Sequence, residues 1–148
     1  MKDSTWRILC VLSALLFVCA IVISAVMGGC DTLIQTSSGS EMPMKCHWTF
    51  IATKYIAVIG VIASAAMTGF YEKYARRQVS AINLVTIIVM ALLTTPLGIG
   101  ICAKQEMHCH TTQLVLLCIL GVILILSIVM IAKAEYKEEE PEKPKKTV

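Results

Sequence analysis

Four uninterrupted apolar stretches run approximately through Ile8–Gly29, Thr49–Phe70, Ala81–Cys102 and Thr112–Ala132. Each is about 21–22 residues long, close to the roughly 20 that carry a helix across bilayer hydrocarbon. No other feature constrains the fold so strongly. Lipid offers a backbone no hydrogen bonds, so a segment of this kind satisfies its own amides by becoming a helix. A soluble core helix of that length would keep a polar face, and none of the four stretches has one. The composition agrees, with 57% of residues apolar and 16% charged, against about 45–50% and about 25% in soluble domains. At 148 residues the chain has room for one domain. The expected fold class is an all-α membrane protein of four transmembrane helices, arranged as two hairpins in residues 1–134.

Charge predicts the orientation. Assigning Lys and Arg to alternate sides of the spans places ten on one side: Lys2, Arg7, Lys73, Arg76, Arg77, Lys133, Lys137, Lys143, Lys145 and Lys146. The other side receives Lys45, Lys54 and Lys104. Basic residues near span ends stay in the cytoplasm, so both termini are expected inside and the two longer loops outside, in a plasma membrane. The short loop Tyr71–Ser80 alone holds three of these charges. The charge pattern reads as membrane orientation, and no nucleic-acid partner is expected.

The apolar run behind Met1–Arg7 is longer than the roughly 7–15 residues of a signal peptide's core, so the first span is expected to stay uncleaved. Met27-Gly28-Gly29-Cys30 loosely resembles a lipoprotein cleavage box, with Met where Leu is usual. Ala20, Ser24 and Gly28 make one small-residue stripe along span one, and Gly60, Ser64 and Thr68 make another along span two. Such spacing lets helix backbones approach closely in lipid, and the six are candidate packing residues. Pro96 removes a backbone donor, which predicts a bent or frayed end to span three. Lys54 lies about a turn inside span two; its stem can snorkel to the interface marked by Trp48 and Tyr55. The tail over residues 135–148, rich in charge and with prolines at 141 and 144, is expected to be disordered.

The loops carry the distinctive chemistry. Of seven cysteines, Cys10, Cys19 and Cys118 fall within spans and are expected to be packing residues. Cys30, Cys46, Cys102 and Cys109 fall outside, one pair to each longer loop. An even number on one oxidising side points to disulfides. Three pairings are possible. Pairing within each loop, Cys30–Cys46 and Cys102–Cys109, needs no contact between hairpins and is favoured.

The two loops also repeat a pattern. Met44-Lys45-Cys46-His47-Trp48-Thr49 matches Met107-His108-Cys109-His110-Thr111-Thr112 as M-x-C-H-x-T. Each copy precedes an inward-running span, as in a doubled hairpin related by an axis along the membrane normal. Thioether, thiolate and imidazole are soft or borderline ligands suited to Cu(I). Met44, Cys46, His47, Met107, His108, Cys109 and His110 are therefore candidate copper ligands, as an alternative to disulfides that would consume the thiols. The layout is also similar to four-helix thiol oxidases, whose redox pair is usually C-x-x-C; this chain has no C-x-x-C.

At these loops the chain resembles an uncharacterised bacterial membrane-protein family known as domain of unknown function 4418. The resemblance rests on M-K-C-H-W-T at Met44–Thr49 and on Cys102 followed by Met107-x-Cys109-His110-Thr111. It covers all four spans, roughly residues 7–132. One departure is Gln105-Glu106, where the family has proline-rich or small residues. The resemblance implies an accessory role beside an ABC-type ATPase and permease. The chain has no P-loop, H-E-x-x-H or G-x-S-x-G motif. Its spans hold no Asp or Glu to relay protons. The expectation is a non-enzymatic accessory membrane protein without a cofactor, partnered by lipid and by other membrane proteins such as an ABC permease. The alternatives are copper handling and thiol–disulfide exchange.

Overall fold

The computed structural model describes residues 3–28, 33–35, 39, 41–69, 73–95, 97–101 and 108–136, with backbone alone at 3, 33, 34, 73–76 and 133–136. Helix α1 spans Asp3–Val26, α2 Lys45–Met67, α3 Lys73–Thr94 and α4 His108–Tyr136. Between α1 and α2 lie two short strands, β1 (Leu33–Gln35) and β2 (Glu41–Pro43). All four helices contain a segment long and apolar enough to cross a membrane: Ser4–Val26, Lys45–Met67, Arg77–Thr94 and His108–Ala132. The protein is thus a multi-pass, all-α membrane protein, as its hydropathy predicts.

Helix boundaries depart from the apolar stretches in informative ways. Helix α3 ends at Thr94, well short of Cys102. Proline disfavours helical geometry in the residue before it, so Pro96 pushes Thr95 out of the helix. The chain beyond folds back on the helix end: the Thr95 amide donates to the Leu92 carbonyl and the Gly98 amide to Thr95, at 3.1 and 3.0 Å. Gly100, at φ +76°, adopts a left-handed conformation open to glycine, and its amide returns to the Leu93 carbonyl at 3.1 Å. Helix α4 continues through Glu135 and Tyr136, which the sequence assigns to the tail. The rest of the tail lies outside the described residues.

The first loop holds structure that a reading by hydropathy missed. Strands β1 and β2 pair antiparallel, with Leu33 opposite Pro43, Ile34 opposite Met42 and Gln35 opposite Glu41. Three residues per strand carry no clear period-two signal, which explains the miss.

The helices form a ring in which α1 and α3 each pack against both α2 and α4. Ser80 at the start of α3 meets Met67 at the end of α2, and Gln113 at the start of α4 meets Thr94 at the end of α3. Neighbours therefore run antiparallel. One end of the bundle, here the loop end, carries the β-hairpin and the N-termini of α2 and α4. The opposite, terminal end carries Asp3 and Tyr136.

Buried positions recur at alternating spacings of three and four. On α1 they are Trp6, Cys10, Ser13, Phe17, Ala20 and Ser24. Helix α2 follows with Cys46, Phe50, Thr53, Ala57, Gly60, Ser64 and Met67, and buries Thr49 and Ala63 beside them. A 3–4 alternation is the seam that packs left-handed helical bundles. Where Phe17 fills this seam, Gly60 makes room: a Cβ there would lie 2.6 Å from the Phe17 ring.

The surface confirms the solvent. Leu15, Ile62, Val85, Leu114 and Ile125 are all more than half exposed, while Ser13, Ser64, Asn83 and Ser127 are fully buried. A water-soluble monomer rarely exposes contiguous apolar surface on this scale. Lipid accepts it without cost, and the buried polar groups then become the specific adhesive between helices.

Candidate functional site

The repeated M-x-C-H-x-T motif converges on the loop end. Each copy starts an apolar helix, so Cys46 and Cys109 both occupy the second helical position, of α2 and α4 respectively. Both are buried, at 0% and 1% exposure, in one core cluster with Phe17, Phe50 and Leu116. Met44 packs against this cluster from the edge. Cys109 is a free thiol. His47 is half-buried with its ring edge-on to exposed Trp48, centroids 5.9 Å apart. His108 is exposed and His110 half-buried. Among the described residues, no three His, Cys, Asp or Glu side chains stand together as a metal-binding group. Cys30, Cys102 and Met107 lie outside the described residues, and with them the pairing partners of the loop cysteines and the lipoprotein-box cysteine.

The motif's final threonine makes the architectural connection. Thr49 donates to the Gly100 carbonyl at 2.6 Å, and Thr112 donates to the Met27 carbonyl at 2.8 Å. Each hydroxyl also reaches its own helix, Lys45 for Thr49 at 3.2 Å and His108 for Thr112 at 3.1 Å. The shorter bond in both cases crosses between helices, so the local one is the minor arm of a shared proton. The two threonines thus stand in equivalent roles: each start of an even-numbered helix is tied to the carbonyl just beyond the end of an odd-numbered one.

This matters because a helix ends with unsatisfied carbonyls, costly wherever lipid borders them. At α3 the Gly100 amide takes the Leu93 carbonyl, and the Gln113 side chain donates to Thr94 at 2.8 Å. Gly100 then offers its own carbonyl to Thr49. The loop end is therefore a hydrogen-bonded collar that links α2 to the end of α3, α3 to α4 and α4 to α1, beside the buried side chains of Cys46 and Cys109.

The small-residue candidates separate by location. Ala20, Ser24, Gly60 and Ser64 lie buried on the seam. Gly28 is half-buried, and a Cβ there would strike the Ser24 carbonyl. Thr68 stands apart: it is the C-cap of α2 and bonds back to Ala65 at 2.7 Å. Of the cysteines within spans, Cys10 is buried beside Trp6, Met67 and Met130. Cys19 and Cys118 face outward and do not pack in the core, correcting the expectation that all three are packing residues. Helical periodicity gives the reason, since Cys19 falls one residue off the buried position at Ala20. Lys54 is half-buried between buried Thr53 and exposed Tyr55.

A second polar group escaped the sequence reading. Asn83 on α3 donates to Ser64 on α2 at 2.9 Å, and Ser64 lies 3.4 Å from Ser13 on α1. Asn83 is the only asparagine in the chain. That, together with its place on the 3–4 seam, was the signal available.

No curated protein and no solved structure gives a significant match to the chain. The family model described as Domain of unknown function (DUF4418) matches residues 8–133, which takes in all but the first four residues of the membrane-crossing segments and both copies of the loop motif. The protein, with its four membrane-crossing helices, is therefore a member of the DUF4418 family.

Proposed function

We propose that this protein is a non-enzymatic accessory subunit of an ABC-type transport or efflux assembly, docked through its helices against a permease. The observation that carries this reading is a groove of about 410 Å³ between α2 and α3, lined by Ile56, Ile59, Ala81, Ile82, Val85, Thr86 and Val89. Its open side faces the hydrocarbon. The small side chain of Ala81 flanked by branched neighbours suits the close approach of another membrane helix. The ABC assignment itself comes from the family resemblance of the loop motifs.

In this reading both termini are cytoplasmic in the plasma membrane, from the ten-to-three partition of basic residues. The collar then faces outward, where oxidation of Cys30 with Cys46, and of Cys102 with the Cys109 thiol that is free in the structure, would staple the loops into a docking surface. A photo-crosslinking residue at Ile59 or Val85 tests the reading in intact cells. The expected product is an adduct with one permease-type protein, and no such adduct from Ile125 on α4. Adducts with lipid alone would overturn it.

A second reading has one observation in its favour. Cys46 and Cys109 are buried at the starts of α2 and α4, with Met44 at the edge of the same core, and soft donors select Cu(I). Only reduced cysteine binds the metal, so the two readings require opposite redox states of the same residues.

A further inference from the structure

Seven residues inward from Ala20 and from Ala57, the seam changes character. Ser13 on α1, Ser64 on α2 and Asn83 on α3 are joined through Asn83 Nδ2 to Ser64 Oγ and from Ser64 to Ser13 Oγ. All three are fully buried. The fourth helix supplies Ser127, also fully buried. The Thr112–Met27 bond fixes how α4 and α1 align. Fourteen residues back from Met27 along α1 is Ser13, and fifteen onward from Thr112 along α4 is Ser127. At 1.5 Å per residue those are about 21 and about 22 Å of helix. Ser127 therefore lies level with Ser13, and every helix contributes one polar side chain to a single layer. Phe17, Ile87 and Ile123 close it toward the loop end; toward the terminal end stand Met67 and Met130, with the buried Ser80 hydroxyl bonded to Met67 Sδ at 3.8 Å.

Two atoms in this layer have no hydrogen-bond partner among the described residues, Asn83 Oδ1 and Ser127 Oγ. Ser127 does not turn back onto its own helix, as Thr53 and Thr86 do. The pair is chemically complementary: the amide oxygen only accepts, while the hydroxyl both donates and accepts. Neither can be left bare in a hydrocarbon environment without a large penalty. They are also not bonded to each other. We propose that the layer is an internal water site, in which one water molecule donates to Asn83 Oδ1 and accepts from the Ser127 hydroxyl. Buried waters typically make about three such bonds, and the Ser13 hydroxyl oxygen is the available third partner. The water completes a polar ring through all four helices. Because the ring closes at one helix rotation and one axial offset, it specifies the register of the bundle as a single buried asparagine does in coiled coils.

The unique asparagine makes this directly measurable. Protein labelled with [15N]asparagine and placed in lipid nanodiscs gives one side-chain amide pair, that of Asn83. A cross-relaxation peak between these protons and the water resonance is expected, with the sign of a long-lived bound molecule. It should fall at least several-fold in Ser127→Ala and persist in Ser127→Thr, which keeps the hydroxyl. The Asn83 backbone amide reports whether each variant retains the fold. Absence of the water peak from the unsubstituted protein overturns the proposal, and so does a peak unchanged in a folded Ser127→Ala, which would mark proton exchange relayed through Ser64 instead.

Discussion

The Thr112 hydroxyl and the Met27 carbonyl, 85 residues apart in sequence, lie 2.8 Å apart at the loop end. Thr49 and Gly100, separated by 51 residues, make the matching bond at 2.6 Å. Replacing either threonine by valine keeps the side-chain shape but strands a carbonyl. Hydrogen bonds between membrane helices contribute about 0.6 kcal/mol on average and up to about 1.7. Thr49→Val and Thr112→Val should each cost about 1 kcal/mol in reversible unfolding from detergent micelles. Because the two bonds tie different pairs of helix ends, the double variant should be additive within about 0.5 kcal/mol. Strong coupling would mean that the collar acts as one network.

Gly60 and Phe17 interlock with no space to spare, since a Cβ at 60 would sit 2.6 Å from the ring. Gly60→Ala should destabilise the bundle by about 1–3 kcal/mol, the usual cost of overpacking. Adding Phe17→Leu should recover part of that loss. A Gly60→Ala protein that melts with the parent would show that the α1–α2 seam is looser than described.

Ser64 accepts from Asn83 and lies within reach of Ser13, whereas Ser13 has no amide donor to satisfy. Removing Ser64 leaves a buried amide donor unsatisfied, and such orphans cost about 1–3 kcal/mol. Ser64→Ala should therefore destabilise more than Ser13→Ala. Equal melting of the two variants would argue that Asn83 has another partner.

Topology follows from the partition of basic residues. A reporter joined after Val148 should be active only in the cytoplasm, and one inserted near Ser38 only on the far side. A cytoplasmic signal from the Ser38 insertion would reverse the proposed arrangement.

The redox state of the loop cysteines separates the functional readings. Alkylation in denaturant without reductant, which reaches buried thiols as well, should leave Cys46 and Cys109 unlabelled in the mass spectrum if they are oxidised with Cys30 and Cys102. Closing the loop between Cys30 and Cys46, with 15 intervening residues, is worth about 3 kcal/mol in the chain-entropy model. Quantitative labelling of both would show free thiols, and Cu(I) bound by the parent but not by Cys46→Ser or Cys109→Ser would then favour the copper reading.

Much of this architecture was legible in the residue order. Apolar runs long enough to span hydrocarbon have one backbone solution, so the four spanning helices followed from composition and spacing alone, though their ends did not. The doubled M-x-C-H-x-T was visible too, including the threonines at its end. Where the end of α3 falls was half legible: Pro96 announced a break, but the fold-back that places Gly100 depends on contacts with Leu93 and Thr49. What the partners of Thr49, Thr112 and Asn83 would be was not legible at all. In hydrocarbon a hydroxyl or amide bonds whichever acceptor the neighbouring helix presents at its depth, and that depends on how α1 to α4 rotate and slide against one another. Local sequence determines that a segment is a helix and which residues share its faces. Only packing, through Phe17 against Gly60 and the polar layer at Ser64 and Asn83, decides which faces meet.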